Sequence, residues 1–163
     1  MSKTTSTMTA QLDLPQATPG IIQDPAQALR FLLAGNAYVT LQSLRSGARF
    51  TYCVTSAGPG ACVTSSSSTV THFVKVLTAP DQYSYLGCIY GARHFRHGYK
   101  SRISPTALST VAWSWTWEEL QKGKISPDIQ IFHSGRCGRC GRQLTVPESI
   151  LSGLGPECAK RAS

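Results

Sequence analysis

The sequence predicts an α+β fold: an antiparallel sheet of about four to five strands with two helices, followed by a small C-terminal treble-clef-like zinc finger. Three observations predict it: β-rich alternating segments in the middle of the chain, two segments with helix start signals and apolar helical spacing, and closely spaced cysteines near the end. The 163 residues, 41% of them hydrophobic, suffice for one medium domain and a small appendage.

Composition divides the chain into three parts. A polar tail rich in Thr, Ser, Gln and Pro comes first and is expected to be disordered. The expected parts are a disordered tail over 1–22, an α+β domain over 23–131 and a zinc-finger-like module over 132–163.

The first helix is predicted from Asp24, an N-cap that precedes Pro25, to the Gly35–Asn36 stop signal. Four β-rich segments then predict sequential antiparallel strands, at 38–41, 49–54, 71–77 and 83–90. Residues 128–132 are a candidate fifth strand.

The second helix is predicted from the Ser104–Pro105 start signal to about Lys122. Three tryptophans alternate within it, which does not fit a single helical face. Core filling is the favoured interpretation. The alternative, in which Trp113 and Trp117 form a protein interface, stays open.

Three cysteines and one histidine at the C-terminal end have the spacing of a structural zinc site. Cys137 and Cys140 form a CxxC turn, Cys158 follows after seventeen residues, and His133 lies four residues before the pair. Three thiolates and an imidazole make a complete tetrahedral set for Zn²⁺. We therefore expect His133, Cys137, Cys140 and Cys158 to bind structural zinc.

Two aspects of this site stay open. His94, His97 or Cys88 are alternative fourth ligands. A redox role for the CxxC turn is the other alternative, but the βαβ setting of thioredoxin-like motifs is not predicted here.

The C-terminal motif also resembles a known family. The segments GRCGRCGRQLTVPESI, at 135–150, and GLGPEC, at 153–158, are similar to the cysteine-rich end of an uncharacterised family found mostly in bacteriophages, prophages and related mobile elements. Further similar segments lie at 33–40, 49–52, 73–77 and 83–86. The resemblance implies a phage or prophage origin and expression in a bacterial cytoplasm, with the histidine and the three cysteines at metal-type positions. It implies no activity.

The charge balance favours a polyanionic partner. Sixteen Lys and Arg stand against eight Asp and Glu, which gives a net charge of +8 and a pI near 9.4. Such an excess of positive charge is typical of nucleic-acid-binding domains. No segment has the length and apolarity of a membrane span, and the N-terminus lacks the apolar region of a secretory signal, so no membrane partner is expected.

Positive charge and aromatic rings are interleaved between residues 93 and 102, which we call the basic-aromatic segment. Cations bind phosphates and rings stack on unpaired bases, so this pattern favours nucleic acid. The arginines of the predicted zinc finger would extend this positively charged surface. The expected nucleic-acid-binding residues are Arg93, Arg96, Tyr99, Lys100, Arg102, Arg136, Arg139 and Arg142. Tyr83 and Tyr85 share parity on their predicted strand, so one sheet face would present both rings.

Catalysis is not expected. The chain lacks the HxE motif of zinc deaminases and the P-loop of nucleotide hydrolases. His94 and His97 could serve acid–base chemistry, but no carboxylate is close to them in sequence. The expected function is a small phage-type accessory protein that binds nucleic acid. The alternative is an inhibitor of a host defence protein or nucleoprotein complex, of the anti-restriction or anti-CRISPR type, and a metal-dependent enzyme is the third interpretation.

Overall fold

The computed structural model describes residues 20–58 and 70–161. Its elements in chain order are β1 (Ile21–Ile22), α1 (Pro25–Leu32), β2 (Asn36–Ser43), β3 (Arg49–Ser56), β4 (Val70–Ala79), β5 (Gln82–Tyr90), β6 (His94–His97), α2 (Leu108–Gln121), β7 (Ile129–His133), α3 (Pro147–Ser152) and α4 (Pro156–Arg161).

The seven described strands form an antiparallel sheet in the order β1-β7-β2-β3-β4-β5-β6. The four expected strands are present and become β2 to β5, and the candidate fifth strand becomes β7, which pairs with β2. The predicted sheet was therefore too small by two strands, and two short helices, α3 and α4, lie in the C-terminal segment.

The two unexpected strands carry weak sequence signals. Strand β1 has two residues and falls at the end of the predicted polar tail, whose residues 1–19 lie outside the described part of the chain. Strand β6 reads His-Phe-Arg-His, which resembles a polar loop. It pairs with β5 at the edge of the sheet, and Phe95 packs against the core beside Trp113.

The pleat gives the sheet two different faces, because side chains alternate along each strand and directly paired residues share a face. The inner face carries the buried residues that pack against α1 and α2. The Tyr52 hydroxyl, on this face, donates a 2.6 Å hydrogen bond to the Ser109 carbonyl of α2. The core residues of the inner face include Ala37, Val39, Leu41, Val54, Val74, Val76, Ile89 and Ile131.

Trp113 and Trp117 belong to this core. They are 2% and 3% exposed, and their rings stack with centroids 5.9 Å apart. Both rings are therefore hidden from any partner, against the interpretation that placed them at a protein interface. The ring of Trp115, between them in sequence, is 43% exposed.

The helix boundaries follow the local chemistry. In α1, the Asp24 carboxylate accepts a 2.7 Å hydrogen bond from the Gln27 N–H, as an N-cap does. Helix α2 begins at Leu108, later than the expected Ser104 start, because Ser104 organises the preceding turn. None of the described helices has the length and apolarity needed to span a membrane.

We predict that buried His72 makes stability depend on pH. Its Nε2 bonds to the Leu33 carbonyl at 3.0 Å, and burial lowers its pKa below the usual value of about 6.5. The unfolded chain therefore binds more protons just below pH 6.5, so stability is complete above that pH and falls as the pH drops through the folded pKa.

The test is urea unfolding at pH 7.5 and 5.5. His72→Gln keeps a donor for Leu33 but does not titrate, so its free energy of unfolding should fall less between the two pH values than that of the parent protein. His94→Gln changes an exposed histidine and should leave the difference unaltered. If all three proteins lose the same free energy of unfolding between the two pH values, His72 does not contribute to the pH dependence of stability.

Candidate metal centre

Three thiols converge at the C-terminal end. The Sγ atoms of Cys137, Cys140 and Cys158 all lie within 4.8 Å of one another. In a tetrahedral zinc site with Zn–S distances of about 2.3 Å, sulfurs lie about 3.8 Å apart, so the cluster is close to the required size. The three cysteines therefore form a potential metal site.

A tight turn holds the first two cysteines. The Cys137 N–H donates to the Arg142 carbonyl at 2.8 Å, and the Gly141 N–H donates back to the Cys137 carbonyl at 2.9 Å. Gly141 has φ of +75°, a left-handed conformation that glycine adopts without strain. An isolated antiparallel bridge between Arg136 and Gln143 closes the turn, which we call the arginine turn (Arg136–Gln143).

Packing on α1 fixes where this turn lies. A Cβ on Gly138 or on Gly153 would come within 2.7 Å of the Phe31 ring, so both backbones touch that buried ring. The Asn36 N–H, at the start of β2, donates to the Gly138 carbonyl at 2.7 Å. A small cluster of Cys137, Leu144 and Leu154 completes the packing. The third cysteine, Cys158, lies in the six-residue helix α4.

The electrostatics of the cluster favour a bound cation. Burial raises the pKa of Cys137, but hydrogen bonds from backbone N–H groups, chiefly those of Cys140 and Gly155, outweigh it and lower the pKa to about 7. The pKa of Cys158 is raised to about 11 by burial and by the neighbouring thiols. Three thiolates at this distance repel one another, and a divalent cation removes that repulsion.

The structure places His133 away from the three sulfurs. Its ring is 1% exposed, on the inner face of the sheet at the end of β7, where it contacts the Phe31 ring. The Gly135 N–H donates to Nδ1 at 3.0 Å, which leaves the proton on Nε2, and Nε2 is 2.5 Å from the Ile150 carbonyl. Both ring nitrogens have backbone partners, so this geometry gives His133 a structural role and not the expected place as fourth ligand.

The alternative fourth ligands also lie elsewhere. His97 bonds to the Ile103 carbonyl at 2.8 Å, and the Cys88 thiol is 2.9 Å from the Tyr85 hydroxyl. Among the described residues, the metal-ligand group contains the three cysteines alone, and the five described cysteines are all free thiols. Cys62 lies outside the described residues.

The expected nucleic-acid-binding cations are all exposed. Of the arginines of the turn, Arg142 lines the same cleft of about 220 Å³ as the three cysteines. The basic-aromatic segment forms β6 and the turn after it, at the far edge of the sheet from β7. Tyr99 is 92% exposed, with the Lys100 ammonium 5.6 Å from its ring centre.

A cleft of about 490 Å³ at the β6–α2 edge brings together groups that are distant in sequence. It contains both histidines of the segment, His94 and His97, together with Trp117, Glu118 and Lys122. Glu118 is far from both histidines in sequence and lines their cleft only because α2 packs beside β6, so the sequence alone does not reveal this carboxylate. Trp117 donates its indole N–H to the Arg93 carbonyl at 2.9 Å, which fixes one wall.

Comparison with known proteins covers only the C-terminal end of the chain. Residues 131–163 match DUF6011, a family of unknown function. Searches of curated proteins and of solved structures gave no match. The match includes the three clustered cysteines and the arginine turn, and it assigns no activity to them.

We predict that the three cysteines hold one metal ion per chain and that His133 does not contribute. Cys137→Ser and Cys158→Ser should lose the metal, measured by elemental analysis of the purified protein. Each should also lose more than about 2 kcal/mol of unfolding free energy, because the C-terminal segment loses its crosslink.

Two control variants make this test specific. His133→Gln should keep the metal while losing stability, since it removes a buried ring with two hydrogen bonds. Cys88→Ser should keep the metal because its thiol lies on the sheet. If His133→Gln folds normally but contains no metal, the prediction is wrong and His133 is a ligand.

Proposed function

We propose that this chain is a small phage-type accessory protein in which a structural zinc ion, held by Cys137, Cys140 and Cys158, supports a surface that binds nucleic acid. The observation that carries the proposal is a set of exposed cations that form no ion pair with any acidic residue in the described part of the chain. The set comprises Arg93, Arg96, Lys100, Arg102, Arg136, Arg139 and Arg142.

None of these cations takes part in an ion pair with a described residue. Within residues 20–58 and 70–161, the ion pairs join Arg45 to Asp128, Lys122 to Glu119 and Lys160 to Glu157. Cations that lack a carboxylate partner remain available for phosphates, and each one that binds releases counterions. The surplus charge is therefore concentrated on the surfaces predicted to bind nucleic acid.

Zinc has a structural role in this proposal. A CxxC turn with a third thiolate suits a metal that clamps a short segment, and the clamp fixes the three arginines relative to α1 and β2. The treble-clef-like description rests on the same features: a turn with two ligands and a third ligand on a terminal helix.

The expression site proposed for the protein is the cytoplasm of a bacterial host. The resemblance of the cysteine-rich end to phage and prophage proteins supports this part of the proposal. Free thiols in all described cysteines also suit a reducing compartment.

The first test is the salt dependence of nucleic-acid binding. Arg96→Glu combined with Lys100→Glu should weaken binding about tenfold or more and reduce the slope of log K against log salt by about 1.4 to 1.8, because two phosphate contacts are lost. Mobility shift or fluorescence anisotropy from 50 to 300 mM salt gives both values.

Arg30→Glu combined with Lys124→Glu is the matched control. It changes the net charge by the same amount at exposed positions on α1 and after α2, away from the basic-aromatic segment. The control should bind nearly as the parent protein does. Binding that is absent, insensitive to salt, or weakened equally by both variants would contradict the proposal.

An inhibitor of a host defence protein is the second candidate, and one observation favours it. The apolar side chains of Leu108 and Val111 are 73% and 51% exposed on α2, one turn apart. Exposed apolar groups on neighbouring helical turns suit a protein contact.

A pull-down from bacterial lysate, repeated after nuclease treatment, separates the two candidates. We predict that nuclease removes the captured proteins, because they are held through nucleic acid. A stoichiometric protein that persists after nuclease, and is lost with Leu108→Ser and Val111→Ser, would favour the inhibitor instead.

A further inference from the structure

The outer face of the sheet is not covered by any described helix. Helices α1 and α2 pack on the inner face, as the contacts of Phe31 and Trp113 show. On the outer face, strand pairing aligns Tyr38 with Cys53, Cys53 with Lys75, and Lys75 with Tyr85. A row of side chains therefore crosses β2, β3, β4 and β5 on one surface.

Aromatic rings form a patch on this face that includes two edge-to-face pairs. Tyr38 meets Tyr83 edge to face with ring centres 5.7 Å apart, and Phe73 meets Tyr85 in the same way at 6.5 Å. A register shift between Val74 and Lys75 changes the alternation of β5, so Tyr90 joins the same surface. These five rings are half-buried, so each keeps surface that an incoming planar group can contact.

Cations lie within the patch and at both of its sides. Lys75 stands between the ring pairs, and the Arg96 guanidinium lies 5.7 Å from the Tyr90 ring centre. On one side, Lys100 and Arg102 share a cleft of about 250 Å³ with Tyr85.

On the other side, Arg136 of the arginine turn shares a cleft of about 530 Å³ with Tyr38 and Tyr83. Asp81 also lines that cleft, and among the described residues it is the one carboxylate that does so. Positive charge therefore dominates from one side of the patch to the other.

Three tyrosines of the patch, Tyr38, Tyr83 and Tyr85, stay uncharged at neutral pH. The pKa of Tyr38 is raised, first by its interaction with the Cys53 thiol, and burial raises the pKa of Tyr83 and Tyr85. Uncharged rings do not repel phosphates, and their hydroxyls remain hydrogen-bond donors.

We propose that the outer face of the sheet binds single-stranded nucleic acid, with unpaired bases stacked on the tyrosine and phenylalanine rings and phosphates bound by the flanking cations. The strand would run between the Lys100–Arg102 cleft and Arg136, across Lys75. This proposal rests on the proposed function and adds to it the class of nucleic acid and the surface that takes it.

The shape of the surface favours a single strand over a duplex. Seven strands about 4.8 Å apart make a sheet about 29 Å across, which does not enter a major groove about 12 Å wide. A duplex also hides the faces of its bases, whereas unpaired bases offer them to aromatic rings. The exposed surfaces of these half-buried rings can therefore contact unpaired bases, but not the stacked bases of a duplex.

The experiment compares a fluorescent 20-nucleotide thymidine oligonucleotide with a duplex of equal length at 100 mM salt. The parent protein should bind the single strand at least about tenfold more tightly. Tyr83→Leu and Tyr38→Leu should each weaken single-strand binding by at least about fivefold, as loss of one stacked base does. Tyr83→Phe keeps the ring and should recover most of the affinity.

Trp115→Leu is the control, because it removes an exposed ring from α2, on the other side of the sheet. It should leave single-strand affinity unchanged. Circular dichroism and metal content establish that each variant is folded.

Photocrosslinking of the parent protein to an oligonucleotide with 5-iodouracil needs no variant and provides an independent readout. Crosslinks should map to the peptides that contain Tyr38, Phe73, Tyr83 and Tyr85. Equal or tighter duplex binding, with crosslinks confined to the arginine turn or the basic-aromatic segment, would overturn the sheet-face proposal while leaving the proposed function intact. Absence of binding to either oligonucleotide would overturn both.

Discussion

Three thiols of the C-terminal segment converge on one point and form a potential metal site. This segment has few buried apolar residues of its own, chiefly Leu144 and Leu154, and cannot supply much packing energy. A metal ion held by Cys137, Cys140 and Cys158 would crosslink a turn to a distant short helix. The backbone contacts of Gly138 and Gly153 with Phe31 then attach that crosslinked unit to α1.

The same attachment connects the metal site with the sheet. Strand β7 inserts between β1 and β2 and ends at His133, so the arginine turn begins beside the outer-face residue Tyr38. Buried His133 stabilises the connection between β7 and the arginine turn from the inner face. Its ring nitrogens bond to the backbone on both sides of the turn, at Gly135 and Ile150. The cysteine cluster, the insertion of β7 and the position of Arg136 are therefore parts of one structural arrangement.

Local patterns in the sequence predicted the parts of the fold that depend on local geometry. Period-two alternation predicted the four central strands, Asp24 and Pro25 predicted the start of α1, and CxxC spacing predicted the cysteine cluster. The parity of Tyr83 and Tyr85 predicted their common face, and the pairing of both with β4 through outer-face residues confirms it. These signals need no knowledge of which segments meet.

The features that were missed depend on non-local pairing. Strand β6 is polar and is recognisable as a strand only once β5 is beside it. The choice of His133 as a ligand followed spacing to the cysteines, although its parity with Ile131 already indicated the buried face. The register shift in β5 and the approach of Tyr38 and Phe73 to the tyrosines are set by strand order, which a single sequence does not encode locally.

The most direct test of the account is X-ray absorption at the zinc edge on the full-length purified protein. We expect one zinc per chain with three sulfur neighbours at about 2.3 Å and one oxygen neighbour. A spectrum without sulfur neighbours, or a protein that retains its fold and carries no metal, would contradict the claim that Cys137, Cys140 and Cys158 clamp the arginine turn in place.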